Sequence, residues 1–452
     1  MNVVKKNEID MLRGPITANL IKMAVPLACI SILQQLFNAA DVAVVGRFAS
    51  ADAIAAVGAN TPIINMFLTF FTGLTTGGNI AIARLIGRGE QKKISDAAHT
   101  VFTLSLLSAI AIILIGEAIA RPLLALINTP ADILDSAVLY LRIYFFAMMF
   151  AVVYNFASAI LRSKGDTRRP LYCLIASGII NVVLNLIFVV GFGMDVAGVA
   201  IATLIANIFC AGATVILLMR ETDSLKISFA RLHLSKEPLF FTLRIGLPAG
   251  IQGMLFSISN IIIQSAINGF GSACIAGNTA ATNFEFIAYF VVMAFGQTAT
   301  TYMSQNFAAG AYQRCDKVVR RCMLLGCGIS LGVSCVFYLG HTFWLGLFSS
   351  DAAVLDYAMI RMQCVVLLEF LTGLNEMTAA GLRAMGVSLP PTIVSICGSC
   401  VLRIIWVHTI FQKNTTIFTL LIVYPVSWVF LAIVMGLLFL LVRKKKYHLA
   451  DG

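Results

Sequence analysis

Apolar residues form long stretches along the whole chain, separated by short polar and basic segments. Twelve stretches are long enough for a helix to cross the apolar core of a bilayer, which is roughly 30 Å thick and needs about 20 such residues. They lie near 17–40, 53–78, 96–118, 136–160, 170–191, 196–218, 239–265, 274–300, 318–342, 353–381, 391–411 and 416–441. The pattern predicts an all-α integral membrane protein with twelve transmembrane helices, numbered below as spans 1 to 12.

The composition supports this prediction. Hydrophobic residues make up 59% of the 452 positions and charged residues only 12%, whereas soluble domains are about 25% charged. Charged side chains are spread over the first 22 positions, so the N-terminus is not expected to be a cleavable signal peptide. The chain therefore has too little polar surface for a soluble domain, and membrane lipids are its predicted surroundings.

Lysine and arginine are distributed very unequally between the two sides of the predicted membrane. The N-terminus, the loops that follow even-numbered spans and the C-terminus hold 26 of the 32, whereas the opposite loops hold only Arg47, Arg121 and Lys413. Loops rich in lysine and arginine stay on the cytoplasmic side. The chain is therefore predicted to lie in the cell membrane with both termini cytoplasmic, and its net charge of +11 needs no nucleic-acid partner.

The two halves of the chain repeat each other at a nearly constant offset. Pro26 aligns with Pro248, and the segment Leu161-Arg162-x-x-Gly165-x-x-x-x-Pro170 aligns with Leu382-Arg383-x-x-Gly386-x-x-x-x-Pro391. Each half holds six spans, so the repeats run parallel, as in transporters built from two bundles around a central cleft. The predicted domains are an N-lobe (1–218), a cytoplasmic linker (219–238) and a C-lobe (239–452). A symmetric structural scaffold is the alternative.

Polar side chains of the N-lobe form short helical stripes. They are Gln34, Asn38 and Asp41 in span 1, Ser177, Asn181 and Asn185 in span 5, and Thr203 and Asn207 in span 6. Amides inside a membrane often only join helices, so a packing role and a functional role both stay open for the asparagines. A carboxylate is costlier to bury, so Asp41 is predicted to be a protonation site surrounded by the other stripes. A carboxylate on the outer surface is the alternative.

The C-lobe has a second set of polar side chains. Asn278, Thr282, Glu285 and Tyr289 share a face of span 8, Glu369, Thr372 and Glu376 share a face of span 10, and Arg403 lies in span 11. The helical rise places Glu285, Glu369 and Arg403 at a similar depth. They are predicted to form a midplane cluster with one net negative charge that binds a cation or a coupling ion, with Glu376 nearer the cytoplasm. A structural ion pair is the alternative.

Other chemistry is not indicated by the sequence. Cys397 and Cys400 form a CxxC without two further ligands nearby, so they are expected to pack inside a span rather than bind zinc. The segment Gly73–Gly78 lacks the lysine of a phosphate-binding loop. With neither a metal site, a cofactor nor an ATP site predicted, the energy for transport is expected to come from an ion gradient, H⁺ or Na⁺, or from the solute's own gradient.

Several segments resemble the multidrug and toxic compound extrusion (MATE) family. They are IKMAVPLACISILQQLFNAADVAVVGRFASADAIAAVG at the start, LRSKGDTRRP after span 4, and SQNFAAG and LRAMG in the second half. The resemblance covers essentially the whole chain and implies two six-helix lobes. It also implies export of amphipathic organic cations in exchange for protons or sodium ions, and it gives no role to another protein, so a monomer is expected.

The resemblance is closer to the DinF-like branch of the family and has two departures. That branch has an acid near the end of helix 1, which maps onto Asp41, and an Asn-x-x-x-Asp motif in helix 5. Here the motif reads Asn181-Val-Val-Leu-Asn185, so its acid is missing. The helix 10 acid of the NorM-like branch falls near Thr372, which is not acidic either. Both departures concern the coupling ion and its site, and they leave the fold untouched.

Three functions remain from the sequence. A secondary multidrug antiporter is favoured because carboxylates buried in spans attract organic cations and can also bind H⁺ or Na⁺. A flippase for lipid-linked oligosaccharide precursors is the alternative, although its pyrophosphate substrates need cationic cavities and only Arg142, Arg361 and Arg403 lie in spans. An intramembrane enzyme is the least supported, because no Ser/His pair, zinc motif or acidic cluster lies in a span.

Overall fold

Long helices account for nearly all of the protein. The computed structural model describes residues 9–48, 51–127 and 129–451, and no β-strand occurs in these ranges. The helices that cross the predicted membrane are α1 (Ile16–Phe48), α2 (Ala51–Arg88), α3 (Gln91–Leu126), α4 (Ala131–Ser163), α5 (Arg168–Asn185), α6 (Val196–Met219), α7 (Lys236–Asn268), α8 (Ser272–Ala308) and α9 (Tyr312–Leu339). A short α10 (His341–Gly346) follows them.

From Ala352 onward the chain forms several short helices and one long one, α17. They are α11 (Ala352–Cys364), α12 (Phe370–Ala384), α13 (Leu389–Ile396), α14 (Leu402–His408), α15 (Ile410–Lys413), α16 (Ile417–Leu421) and α17 (Val423–Asp451). A π-helical turn joins α13 to α14 at Cys397–Val401, and another extends α5 at Leu186–Gly191. Such turns leave the chain helical, which matters because a backbone in lipid must satisfy its own hydrogen bonds.

Eleven helical stretches in the described residues are long and apolar enough to span a membrane. The one predicted span that is not among them, span 10, is broken in the middle. Helix α11 ends at Cys364, a 3₁₀ turn covers Val366–Leu368, and α12 begins after Glu369. Twelve spans are therefore present in sequence order, and the interruption falls at the carboxylate that the sequence predicts to be buried.

The backbone confirms the internal repeat. Helices α2, α3, α4, α5 and α6 begin 221 residues before α8, α9, α11, α13 and α16, as in 272 − 51 for α8 and α2. The turns before α3 and α9 use Gly89 and Gly310 at φ of 72° and 73°, and a second pair of turns uses Gly165 and Gly386 at 90° and 83°. These left-handed angles are easy for glycine alone, which explains why both glycine pairs stand at the same offset.

Contacts divide the chain into two compact units. Unit 1 contains Cys29–Leu247, and unit 2 contains Asp10–Ala28 and the chain from Pro248 onward. The first part of α1 thus belongs to unit 2 and the first part of α7 to unit 1, with Pro26 and Pro248 beside the two points of change. The segment 219–238 packs within unit 1, where Leu225 and Ile227 are buried.

Candidate functional site

A buried carboxylate marks the polar centre of unit 1. Asp41, near the end of α1, is only 8% exposed. Asn185 of α5 donates a hydrogen bond to Asp41 Oδ1, and Thr203 of α6 donates to Oδ2 at 3.4 Å. Three helices therefore converge on one carboxylate, and two of its partners come from the stripes that the sequence singles out.

Asn181 completes this cluster one helical turn before Asn185. Its amide nitrogen donates to Thr203 Oγ1 at 3.3 Å, and its oxygen accepts from Asn185 Nδ2 at 3.4 Å. Positions four apart share a helix face, so both amides of α5 reach the same place. We refer to Asp41, Asn181, Asn185 and Thr203 as the Asp41 cluster.

Every hydrogen-bond partner of Asp41 is neutral. Among the described residues, no lysine, arginine or histidine pairs with its carboxylate, and the buried Oδ1 of Asn185 has no hydrogen-bond partner there. A charge buried without a counter-charge is costly unless it takes up a proton or a cation. The cluster is therefore chemically suited to hold either one, and it offers oxygen ligands of the kind that hard cations prefer.

Two tyrosines that the sequence does not single out lie near the cluster. Tyr140 and Tyr144 of α4 interact electrostatically with Asp41, and their rings lie 5.7 Å apart between centroids. Their i, i+4 spacing, which places them on one face of α4, is the feature by which the sequence could have indicated them. Aromatic residues inside an apolar span usually only pack, so the spacing alone did not distinguish these two.

The remaining polar residues of the N-lobe stripes do not join the cluster. Gln34 and Asn38 lie on α1 with exposed side chains. Asn207 donates to the carbonyl of Ala147 at 3.2 Å, and Ser177 donates to that of Ala206 at 2.7 Å. The α1 stripe is buried only at Asp41, where α5 and α6 pack against it, whereas Asn207 and Ser177 join neighbouring helices.

In unit 2 the prediction for Glu285 needs a correction. Its partner is Arg361 of α11, with Nη2 2.7 Å and Nε 2.8 Å from Glu285 Oε2, and not Arg403. Arg361 also donates to Asn278 Oδ1 at 2.7 Å. Asn278 and Glu285 are two turns apart on α8, so both face one arginine. The sequence places Arg361 within a span but does not indicate its partner.

Arg403 is fully buried, at 1% exposure, and contacts neutral groups. It donates to Asn260 Oδ1 at 3.3 Å and to Ser427 Oγ at 3.4 Å. Its guanidinium stacks 4.3 Å from the centroid of Tyr424, and Arg361 approaches the same ring at 5.4 Å. One aromatic ring thus lies close to two cations, an arrangement that the spacing of charged residues does not reveal.

Glu369 is buried beside this pair, at 2% exposure. Thr372 donates to its Oε1 at 3.0 Å, while Oε2 is buried with no hydrogen-bond partner in the described part of the chain. Glu369 interacts electrostatically with Glu285, Arg361 and Arg403. The predicted cluster of two acids and one arginine therefore contains a second arginine, so the predicted net negative charge is wrong when all four groups are ionised.

The remaining predicted residues of unit 2 are Thr282, Tyr289 and Glu376, and they have other contacts. Thr282 donates to the backbone carbonyl of Asn278 at 2.7 Å. Tyr289 interacts electrostatically with Glu369 and Glu376. Glu376 is a partly exposed carboxylate 3.9 Å from Arg383.

Charged residues of α3 pair with charged residues of α4. Glu117 pairs with Arg142 at 3.3 Å, whereas Arg121 pairs with Asp135 at 2.9 Å. Glu117 and Arg121 are four residues apart on α3, a spacing that would also allow them to pair with each other. Residues of α4 pair with both instead, and spacing along α3 alone cannot predict partners on another helix.

An ion network holds the start of the 219–238 segment against unit 1. Lys164 lies 2.8 Å from Glu221 and 2.9 Å from Asp223, and Arg169 lies 2.5 Å from Glu221. Burial by itself raises the pKa of the Glu221 carboxyl, but the hydrogen bonds and charges of Lys164 and Arg169 outweigh it and lower the pKa to about 2. The carboxylate therefore stays ionised and holds the segment in place at neutral pH.

The MatE family model matches residues 26–187 and 248–407, well over half of the chain. The two matches begin at Pro26 and Pro248, the prolines that align between the two halves of the chain. The chain belongs to the MatE family. This membership confirms the predicted family and identifies the chain as a multi-pass membrane transporter and not an enzyme.

Several known proteins match this MatE chain over most of its length. "Probable multidrug resistance protein YoeA" of Bacillus subtilis (strain 168) is 28% identical over 380 residues, 82% of each chain. "Multidrug export protein MepA" of Staphylococcus aureus (strain NCTC 8325 / PS 47) is 21% identical over 416 residues, 91% of each chain. A solved outward-facing multidrug resistance MATE family transporter of the MOP superfamily matches with a TM-score of 0.90 at 22% identity, covering 98% of this chain and 99% of that one. The structural match confirms the predicted fold.

Proposed function

We propose that this MatE protein exports amphipathic organic cations from the cell in exchange for protons by alternating access. The observation that carries the proposal is the Asp41 cluster, a buried carboxylate whose partners are all neutral. Such a group binds one positive charge, either a proton or an organic cation. Competition of the two for the same carboxylate gives exchange.

In this mechanism the three polar neighbours of Asp41 position its carboxylate. Asn185 and Thr203 orient both oxygens of Asp41, and Asn181 holds these two donors in place. When the carboxyl carries a proton, its attraction for a cation is lost and the substrate is released. When the proton leaves, the hydrogen bonds stabilise the carboxylate until a cation arrives. Glu285, Glu369 and Glu376 are secondary candidates, because each has an arginine nearby.

The flippase alternative is less well supported by the same geometry. Its pyrophosphate substrates need accessible cations, and Arg361 and Arg403 are 5% and 1% exposed. Arg361 is paired with Glu285, and Arg403 stacks on Tyr424. Neither guanidinium offers a free face to a large anion.

Transport in proteoliposomes tests the proposal. We expect a fluorescent organic cation to be moved by an imposed pH gradient and not by a sodium gradient, and Asp41→Asn to reduce this movement to the level of empty liposomes. Asp135→Asn is the matched control, because Asp135 is an exposed acid of unit 1 at the surface of α4, and it should retain wild-type transport. Sodium-driven transport would assign Na⁺ as the coupling ion, and proton-driven transport by Asp41→Asn would disprove the role of Asp41.

We also propose that both termini and the 219–238 segment face the cytoplasm, as the lysine and arginine distribution predicts. Single cysteines at Leu234 and Lys445, both exposed, report the two regions. In a variant whose 11 native cysteines are replaced by alanine, a membrane-impermeant maleimide should label them only after the cells are opened. Labelling in intact cells would reverse the orientation. Sedimentation in detergent tests the expected monomer.

A further inference from the structure

The last described turns of the chain and the start of α9 enclose a cavity in unit 2. Its volume is about 680 Å³. The lining comes from the first turn of α1, the turn and first helical residues at 310–317, and the end of α17. Arg314, Lys317 and Arg443 contribute basic side chains to this lining, and Asp316 is its one acid.

The charges of this cavity are only partly compensated. Asp316 pairs with Arg443 at 2.5 Å and accepts a hydrogen bond from the Tyr447 hydroxyl at 3.1 Å. Arg314 donates instead to the backbone carbonyls of Met11 and Gly14, at 3.0 and 2.6 Å. In the ranges that the structure describes, no carboxylate pairs with Arg314 or with the exposed Lys317. The cavity therefore retains an excess of positive charge.

At the same place in unit 1, the equivalent basic residue is paired with a carboxylate of the protein itself. Helices α3 and α9 begin at equivalent residues after the equivalent left-handed glycines Gly89 and Gly310. In unit 1 the residue between glycine and helix is Glu90, whose carboxylate lies 2.7 Å from Lys93. The equivalent residues in unit 2 are Ala311 and Arg314, so the basic residue is kept and the carboxylate is missing.

The chain also covers this place in unit 1 and leaves it open in unit 2. Ser224 hydrogen-bonds Gln91, the first residue of α3, and the backbone of Ser228 donates to His99 at 3.2 Å. Leu225 is buried between these contacts. In unit 2, α17 continues as a helix past Arg443. The cavity lies at the place that residues 224–228 cover in unit 1.

From this difference we infer that the cavity binds the phosphate of an anionic phospholipid headgroup. Phosphate takes the place that the Glu90 carboxylate has in unit 1, and arginine and lysine are its usual partners. The exposed Leu440 lies on the same face of α17 as Arg443 and Tyr447, at i, i+3 and i+7, so acyl chains can cover it while the headgroup occupies the cavity. The lipid would come from the leaflet that the basic loops face.

This inference does not depend on the transported substrate or on the coupling ion. Native mass spectrometry of the full chain in detergent measures retention of phosphatidylglycerol against phosphatidylcholine. We expect selective retention of phosphatidylglycerol. Lys317→Gln should weaken its binding about fivefold, since one lysine near an anionic headgroup contributes about that factor.

Two further variants make the test specific. Ala311→Glu restores the carboxylate of the first repeat, and we expect it to weaken phosphatidylglycerol binding by about tenfold or more. Lys92→Gln removes an exposed lysine at the position of unit 1 equivalent to Gln313, and it should leave binding unchanged. Because Lys317 is exposed, its variant is expected to fold even where Ala311→Glu does not.

A soluble competitor separates the two sources of phosphate. Glycerol phosphate should not displace the lipid at equal concentration, because it lacks the acyl chains that cover α17. Displacement at equal concentration would assign the cavity to a soluble phosphate ester and overturn the lipid. Wild-type retention by Lys317→Gln and Ala311→Glu, or equal retention of phosphatidylcholine, would overturn the site.

Discussion

Unit 1 and unit 2 bury carboxylates in different ways. In unit 1, Asp41 is surrounded by two asparagines and a threonine. In unit 2, Glu285 is paired with Arg361, and Glu369 lies within the field of Arg361 and Arg403. A buried carboxylate with neutral partners needs a positive charge from outside, whereas one with an arginine already has it. The repeat therefore supplies one scaffold twice, with a carboxylate among neutral partners in one copy and a carboxylate paired with arginine in the other.

The largest expected effect contrasts Asp41 with Glu285. Equilibrium binding of a fluorescent organic cation to the purified transporter should be about tenfold or more weaker in Asp41→Asn, since the ion pair with the substrate is lost in a buried site. Glu285→Gln should change it less than about twofold, because Arg361 already compensates that carboxylate. Equal losses in both variants would show that the two units share the substrate charge.

Removal of Arg361 tests the compensated unit directly. Arg361→Leu should destabilise the protein by about 3–5 kcal/mol, because it leaves Glu285 buried without its partner. Arg121→Leu breaks the pair with Asp135, whose side chains are 60% and 82% exposed, and should cost less than about 1 kcal/mol. Thermal unfolding in detergent measures both. A double variant that also replaces Glu285 with leucine should recover part of the loss.

Arg403 should matter less than Arg361, in contrast to the expectation from sequence. Arg403→Leu removes three long hydrogen bonds to two neutral side chains and the stacking on Tyr424, which together contribute about 1–2 kcal/mol. Arg403→Lys keeps the charge and loses the planar stacking, so it should fall between the wild type and the leucine variant. A loss as large as that of Arg361→Leu would mean that Glu369 depends on Arg403.

The smallest expected effect is a loosening of the 219–238 segment at low pH. The pKa of Glu221 is lowered to about 2 from an ordinary value of 4.5. Its contribution to stability is therefore present above pH 4.5 and is lost as the pH falls toward 2. Limited proteolysis of this segment should increase over that range in the wild type. Glu221→Gln should be cleaved more readily at neutral pH and should show a smaller increase over that range, since glutamine does not titrate and only the Lys164–Asp223 pair of the segment is kept.

Much of the architecture is predictable because a bilayer allows few kinds of backbone structure. A backbone in a bilayer has to form helices, so twelve apolar stretches give twelve spans. The repeat is visible because glycines such as Gly89 and Gly310 occupy left-handed turns that other residues adopt poorly. Asp41, Asn181, Asn185 and Thr203 could be grouped because helical spacing places polar residues on common faces and burial demands partners for a carboxylate.

The sequence by itself determined the spans, the repeat, the family and the carboxylate at the centre of unit 1. Only the tertiary structure decided which charges meet. Glu285 pairs with Arg361 and not Arg403, Glu117 pairs with Arg142 and not Arg121, and Gln34 and Asn38 stay outside the Asp41 cluster. The physical reason is that periodicity fixes the face and depth of a side chain on its own helix. The neighbour across the interface depends on helix rotation and packing, which spacing along one chain does not contain.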